Sequence, residues 1–245
     1  MDINIDAATF RKILDVLMSV SDEVALSFEA DGMKCKAMNP EKTAMVELSA
    51  SKEIFKTYDT PGEVIGLDLK KADEHIRHFN PSNIMNIHTD KGKVTFRSEA
   101  LKMSQALIDP LTLTVPKGPT LKHTGWAVVS SEEVVRALRA ISVISRTVSF
   151  SLSPESFKVK ATGQIPEETV EVELPRNTLK DVYCEGLTTS TYLTELILGF
   201  LGDERKFSEL KVYLGTDYPI RIDTLMLNEK IKASFMVAPR ISNSD

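Results

Sequence analysis

Residues 24–38, VALSFEADGMKCKAM, combine two segments of alternating apolar residues with a tight turn between them. Every second residue from Val24 to Phe28 is apolar, which is typical of a half-buried strand. Asp31-Gly32 supplies a turn, and the alternation resumes after it. The segment therefore predicts an antiparallel hairpin with one apolar face.

A helix is predicted before this hairpin, and the same order returns later in the chain. Apolar residues between Asp6, a good N-cap, and Met18 recur at the spacing of one helical face. A second helical stripe runs from Val134 to Ile144, and the hairpin VSFSLSPESFKVKAT, residues 148–162, follows it. The second hairpin begins 124 residues after the first. This offset indicates an internal duplication.

Further elements support the duplication. Residues 130–133, SSEE, resemble a capping box before the second stripe. After each hairpin come one more strand and another helical stripe, from Leu69 to Phe79 and from Leu193 to Leu201. We therefore predict an α+β chain with two similar domains, each with two helices packed on antiparallel sheet.

The expected domain boundaries follow from a proline-rich segment between the two repeats. We assign residues 1–108 to an N-terminal domain and residues 125–245 to a C-terminal domain. Residues 109–124 form the connector, and the three prolines in its first part disfavour helix and central strand. An extended connector is expected.

Composition indicates an ordinary globular protein that works inside the cell. The 245 residues are 42% hydrophobic, and no run approaches the roughly 20 apolar residues that span a bilayer. The beginning, MDINIDAATF, does not resemble a secretory signal. Two cysteines are too few for a disulfide framework or a cysteine-rich zinc site. No membrane association, cofactor or metal is expected.

Positive charge is concentrated on the predicted helices, although the net charge is −5. Basic residues lie opposite the apolar stripes, at Arg11, Lys12, Lys70, Lys71, Arg77, Arg136 and Arg139. The simpler interpretation is a set of solvated helix faces, which is the default for charge opposite an apolar stripe. The functional interpretation is a surface that contacts phosphates of duplex DNA without base recognition.

Three motifs together resemble sliding clamps of the proliferating-cell-nuclear-antigen family. They are DGMKCKAMN at residues 31–39, LID at residues 107–109 and VAPRI at residues 237–241. Their order and spacing within a duplicated chain resemble the family from end to end. The compact length and the ending resemble archaeal members more than eukaryotic ones. The resemblance implies a ring of three subunits, with helices around a central hole and sheets outside.

The resemblance also implies functional residues. DNA phosphates would be contacted by Arg11, Lys12, Lys71, Arg77, His78, Arg136 and Arg139. Subunits would pair the edge strand that contains Lys102, Ser104 and Ala106 with the one that contains Val170, Val172 and Leu174. Ring closure would cover these edges.

Partner enzymes of the family insert a short motif with hydrophobic and aromatic anchors into a pocket beneath the connector. The partners implied are DNA polymerase, the clamp loader, flap endonuclease and DNA ligase. The matching positions are Met38, Leu113, Val115, Pro219, Met236, Ala238 and Pro239. Core packing is the alternative explanation for the two methionines. The implied location is the cytoplasm, at the nucleoid, for an archaeal protein, and the nucleus for a eukaryotic one.

This chain departs from the family pattern at three positions. Lys42 stands where many relatives have His, and Met236 where many have an aromatic residue, so the motif preference of the pocket is open. Leu198 stands where relatives often carry Lys, which leaves the fourth helix poorly basic unless Arg205 and Lys206 compensate. A subunit of a heterotrimeric or checkpoint-type clamp is therefore the alternative to a homotrimer.

A metal-dependent enzyme is the more distant alternative. His75 and His78 lie about one helical turn apart, with Asp73 and Glu74 beside them. No third ligand has a recognisable spacing, and no phosphate-binding loop or nucleophile motif is present in the sequence. We expect no catalytic site.

Overall fold

The computed structural model describes residues 1–165, 167–202 and 206–240. The chain divides into two compact units, and the first comprises Met1–Gly118 with Met226–Ala233. The elements of the first half, in chain order, are β1 Asp2–Asp6, α1 Ala7–Met18, β2 Glu23–Glu29, β3 Gly32–Met38, β4 Ala44–Ser51, β5 Phe55–Asp59, β6 Val64–Asp68, α2 Leu69–Ile76, β7 Ile84–Asp90, β8 Lys93–Ser98 and β9 Leu101–Ala106.

The second unit comprises Pro119–Leu225 and the segment from Ser234 onward. The elements of the second half are β10 Gly125–Ser130, α3 Ser131–Ile144, β11 Thr147–Leu152, β12 Ser156–Thr162, β13 Thr169–Pro175, β14 Asp181–Cys184, β15 Thr188–Leu193, α4 Thr194–Leu201, β16 Glu209–Leu214, β17 Ile220–Met226 and β18 Ile231–Val237. The order of strands and helices is the same in both halves. The predicted α+β class, with two helices on antiparallel sheet in each half, is confirmed.

The sheet topology repeats as well. In the first half the strand orders are β5-β1-β7-β8-β9 and β4-β3-β2-β6. In the second half they are β14-β10-β16-β17-β18 and β13-β12-β11-β15. The predicted hairpin pairs Leu26 with Cys35, and its counterpart pairs Phe150 with Val159. β9 and β13 each lie at the edge of a sheet in the described part of the chain.

Each unit has its own aromatic core. In the first, Phe10 of α1 packs near Phe96 of β8, with ring centroids 6.4 Å apart. In the second, the rings of Phe200 and Phe235 stack with centroids 4.4 Å apart. These side chains are at most 1% exposed, so the apolar stripes of the helices face the sheets, as predicted. Within the described ranges, no helix combines the length and apolar character needed to cross a membrane.

The capping box predicted at residues 130–133 is wrong. Ser130 occupies the N-cap of α3, but its side chain makes no capping hydrogen bond. Glu133, which would complete the box, instead forms an ion pair with Arg136. Asp68 at the start of α2 is a cap that the pattern missed, because its carboxylate accepts a hydrogen bond from Lys71 N at 2.9 Å.

The connector is irregular, but it contains one short turn that the prolines did not predict. A single 3-10 turn spans Pro110–Thr112, and the Asp109 carboxylate accepts from Leu111 N at 3.0 Å. Proline is tolerated there because the first residue of a helix needs no N–H partner. The backbone of Ile108 approaches Gly66 so closely that a Cβ on Gly66 would lie 2.4 Å from Ile108 O. A glycine is therefore required where the connector begins.

The compact units differ from the expected boundaries at two places. Residues 109–118, which we assigned to the connector, belong to the first unit, and Met226–Ala233 returns to it from the second repeat. Residues 226–229 include three consecutive residues with positive φ, at Leu227, Asn228 and Glu229. The apolar periodicity did not indicate that Met226–Ala233 belongs to the first unit, because periodicity shows which residues are buried and not which unit they pack against.

Candidate functional site

The basic residues predicted on the first unit occupy the sides of α1 and α2 that face away from the core. Lys12, Lys71 and His78 are exposed, and His78 follows the C-cap of α2. Arg11 is half-buried and Arg77 is exposed. α1 and α2 pack against each other, and we call these five residues together the helix surface of the first unit.

Arg11 and Arg77 share a carboxylate that sequence reasoning did not assign to them. Arg11 Nε donates to Asp73 Oδ1 at 2.8 Å, and Arg77 Nη2 donates to Asp73 Oδ2 at 2.7 Å. Asp73 is only 6% exposed. Burial raises the pKa of Asp73, but the hydrogen bonds from Arg77 and Arg11 outweigh burial and hold the pKa below its ordinary value. The carboxylate is therefore ionised at neutral pH.

The two arginines predicted on the second unit are also exposed. Arg136 and Arg139 lie three residues apart on the same side of α3. Arg136 forms an ion pair with Glu133, and Arg139 Nη2 lies 3.5 Å from the carbonyl oxygen of Gly202. Both guanidinium groups lie at the surface, as phosphate contact would require.

The fourth helix carries no basic side chain between Thr194 and Leu201. Leu198 is half-buried there. Lys206 Nζ donates to Phe200 O at 3.0 Å, so its charge lies near the C-terminal end of α4, where a cation is favourable. Arg205 lies outside the described residues. Lys206 therefore supplies a positive charge at the C-terminal end of α4, which contains no basic residue itself.

A cavity in the first unit contains two of the predicted partner-binding residues. Its volume is about 210 Å³, and it lies between β2, β3 and the 3-10 turn. Met38 and Leu113 line it together with neighbouring residues of these elements. Val115, two residues after Leu113 in the chain, is 55% exposed. Met38 is half-buried, so core packing does not account for it fully.

The other predicted partner-binding residues belong to the second unit. Met236 is 8% exposed, which agrees with a core role, whereas Pro219 and Pro239 are half-buried and Ala238 is exposed. Whether all seven residues form one pocket stays a prediction. Lys42 is exposed and has a positive φ of 57° in the turn between β3 and β4.

Sequence reasoning missed an aromatic cluster beside Pro219. His123 Nε2 lies 2.9 Å from Pro219 O, so this nitrogen carries a proton and donates it. The His123 ring lies 5.6 Å from the ring of Tyr213 and 5.5 Å from that of Tyr218. Burial lowers the pKa of His123, which favours a neutral ring. Isolated aromatic residues this far apart in the chain give no sequence signal for such a cluster.

The two predicted subunit edges differ in character. On β9, Lys102, Ser104 and Ala106 are exposed. On β13, Val170, Val172 and Leu174 are half-buried, and α3 packs against this strand. The acidic residues between them, Glu171 and Glu173, form ion pairs with Lys158 and Lys160 of β12. Intersubunit pairing of these edges stays a prediction.

The histidines considered as metal ligands lie in different surroundings. The His75 ring packs 6.5 Å from the ring of Phe96, and His78 is exposed. The carboxylate of Asp73 is engaged by two arginines. Among the residues that the structure describes, no three His, Cys, Asp or Glu side chains are grouped to hold a metal ion.

The chain matches one family model and is similar to several archaeal proteins. Residues 3–106 match the family model described as Proliferating cell nuclear antigen, N-terminal domain. The DNA polymerase sliding clamp of Thermoplasma volcanium is 32% identical over 242 residues, which covers 97% of this chain and 98% of the relative. The protein of the same name from Thermoplasma acidophilum is 30% identical over 243 residues, with 98% of both chains covered.

Solved structures share the fold at lower identity. The A. fulgidus PCNA bound to the C-terminal region of FEN-1 superimposes with a TM-score of 0.90 at 21% identity, covering 99% of each chain. A chain of the PCNA2–PCNA3 complex from Sulfolobus tokodaii gives 0.81 at 18% identity, covering 98% of this chain and 99% of that one. The arrangement of helices and sheets described above is therefore shared with these proteins.

Proposed function

The chain belongs to the family of DNA polymerase sliding clamps of the proliferating-cell-nuclear-antigen type, and we propose that it encircles duplex DNA and tethers replication and repair enzymes. The observation that carries this proposal is the placement of the cations. Both halves of the duplicated fold present arginines on the outer sides of their helices, at Arg11, Arg77, Arg136 and Arg139. A net charge of −5 then coexists with a surface suited to phosphates.

Contact with DNA is proposed to be weak and independent of base sequence. Guanidinium and ammonium groups bind phosphate oxygens, which are the same at every base pair. Such contacts are salt-dependent and allow a protein to move along the duplex. Retention then comes from enclosure of the DNA, and tight binding would oppose sliding.

Enclosure is proposed to arise from a trimeric ring. An edge strand such as β9 or β13 leaves backbone N–H and C=O groups without a partner strand in the described chain. Pairing of β9 of one subunit with β13 of the next is head-to-tail, and such contacts close into a ring when the rotation allows. A heterotrimer is the second candidate, since the Sulfolobus relative is a complex of two different clamp subunits.

Partner enzymes are proposed to dock through a short motif with hydrophobic and aromatic anchors. The cavity lined by Met38 and Leu113 offers a flexible thioether and an aliphatic side chain at the surface of the first unit. The A. fulgidus relative was solved with the C-terminal region of FEN-1 bound. DNA polymerase, the clamp loader, flap endonuclease and DNA ligase are the proposed partners here.

The role proposed is that of a scaffold without a catalytic site or cofactor. His78, which is exposed, is assigned to phosphate contact instead of metal binding. The location proposed is the cytoplasm, at the nucleoid, in keeping with archaeal relatives.

Retention on circular DNA tests the proposal. The chain would be loaded onto a nicked circular duplex by a clamp loader with ATP, and the DNA-bound fraction measured by gel filtration. Cutting the circle once with a restriction enzyme should release the protein, and blocking both ends of the linear product should restore retention. Equal retention on the circular and open linear DNA would contradict enclosure.

A further inference from the structure

The carboxylate of Asp73 limits the positive charge of the helix surface of the first unit. Asp73 lies on α2, and its side chain is only 9% exposed, whereas the side chains of Arg11 and Arg77 are 37% and 53% exposed. The anion therefore lies beneath the two cations. A phosphate at the surface would meet the guanidinium groups first.

The three groups together carry the charge of a single cation. Each arginine uses one nitrogen for Asp73, through Nε in Arg11 and Nη2 in Arg77. The other guanidinium nitrogens have no hydrogen-bond partner in the part of the chain that the structure describes, so they remain available as donors. The group thus has two exposed donor surfaces but a formal charge of only plus one.

We propose that Asp73 attenuates DNA binding, by cancelling one of two arginine charges at the surface that faces the duplex. This inference rests on the proposed function, because it assumes that Arg11 and Arg77 contact phosphates. Asp73 is a positioning and charge-balancing residue and does not itself touch DNA. An ordinary surface ion pair would be screened by water, but this carboxylate is buried and its field on the two guanidinium groups is screened less.

The charge balance has a measurable consequence in the salt dependence of binding. For duplex DNA, the slope of log K against log salt changes by about 0.9 for each phosphate that a protein neutralises. Asp73→Asn raises the charge of the group from one to two, so the slope should steepen by about 0.9 for each group that contacts the duplex. When the salt concentration rises fourfold, the affinity of Asp73→Asn for the duplex should therefore fall about 3.5-fold more than that of wild type.

The test is a charge-compensation series measured with the full chain. Fluorescence anisotropy of a labelled linear duplex, titrated at several potassium chloride concentrations, gives the slope for wild type, Asp73→Asn, Arg11→Gln and the double variant. We expect a steeper slope for Asp73→Asn, a shallower one for Arg11→Gln, and the wild-type slope for the double variant. A purely structural role of Asp73 would not give this restoration.

A second double variant guards against misfolding of Asp73→Asn. Arg77→Gln/Asp73→Asn also has a charge of plus one, and its remaining arginine can still donate to the amide oxygen introduced at position 73. It should show the wild-type slope and a cooperative thermal transition. An unchanged or shallower slope for folded Asp73→Asn, or double variants that differ from wild type, would overturn the attenuation.

The outcomes also separate this inference from the proposed function. If wild type binds with a salt-dependent slope and Asp73→Asn matches it, only the attenuation is wrong. If wild type shows no salt-dependent binding to the duplex, both the attenuation and the phosphate contacts of the proposed function are wrong.

Discussion

Reversing the charge of Arg136 and Arg139 should weaken duplex binding without unfolding the chain. Both side chains are exposed on one side of α3. Arg→Glu at each position removes a cation and adds an anion where phosphates are proposed to lie. Only the electrostatic part of binding should respond, since neither side chain is in the core.

The magnitude follows from the number of phosphates that the variant no longer neutralises. With two fewer neutralised phosphates for each subunit that touches the duplex, the slope of log K against log salt becomes shallower by about 1.8 for that subunit. When the salt concentration rises fourfold, the affinity of the variant for the duplex should therefore fall about 12-fold less than that of wild type. Stability should change by only about 0.5 kcal/mol, as is usual for exposed positions, although the carboxylate introduced at position 136 would lie near that of Glu133.

Two assays would be combined, each with a matched control. Anisotropy of a labelled duplex gives the slope, and primer extension on a singly primed circle, with polymerase and clamp loader, gives the product length. The control is Lys52→Glu/Lys56→Glu, which makes the same change in net charge at two exposed positions outside the four α-helices. It should leave the product length unchanged.

A folded Arg136→Glu/Arg139→Glu variant that keeps the wild-type slope and supports full-length extension would contradict phosphate contact by these two arginines. A loss of the same size in the lysine control would also refute it. Net charge, and not the position of the arginines, would then govern the interaction with DNA.

Three further predictions concern the pocket, the edge strand and a buried thiol. Leu113→Ser/Val115→Ser should reduce binding of a partner-motif peptide at least about tenfold in calorimetry, because the apolar side chains proposed to touch the peptide are removed. Proline would be introduced at Glu171 and, in a separate variant, at Val172. Neighbouring N–H groups of an edge strand point in opposite directions, so only one of the two prolines removes an N–H that would pair with the next subunit, and that variant should be a monomer. Burial raises the pKa of Cys35 to about 12, so its thiol should resist alkylation at about pH 8 until the chain unfolds.

Each of these has a distinct contrary result. Unchanged peptide affinity would place the pocket elsewhere. Trimers that persist with both prolines would reject the proposed edge, provided that thermal melting shows both variants to be folded. Alkylation of both thiols at the same rate in the native chain would contradict the buried position of Cys35, with Cys184, which is half-buried, as the internal comparison.

The duplicated topology was predictable because it depends on local periodicity. Apolar residues at period two from Val24 to Phe28, and at helical spacing before them, are signals that short segments carry by themselves. The strands β1 and β10 were missed although Ile3 and Ile5 alternate and are buried. Both run directly into the helix that follows, β1 into α1 and β10 into α3. When a short alternating segment passes into a helical pattern without a turn residue between them, the sequence does not mark the boundary between strand and helix.

The finer parts of the site depend on contacts between distant residues. Arg11 and Asp73 are 62 positions apart, so no spacing rule connects them. The basic face could be predicted with both arginines on it, but the buried carboxylate that joins them could not. The capping box failed at Glu133 because an arginine three residues later competes for its carboxylate. Such competition between partners is decided by side-chain geometry, which a pattern of residue types does not contain.

Solution mass, measured by light scattering on the purified chain alone at several concentrations, tests whether the chain closes into a ring by itself. We expect a mass near three times 27.2 kDa, the mass of one chain, that persists on dilution. A mass of 27.2 kDa at every concentration would contradict a ring formed by this chain alone.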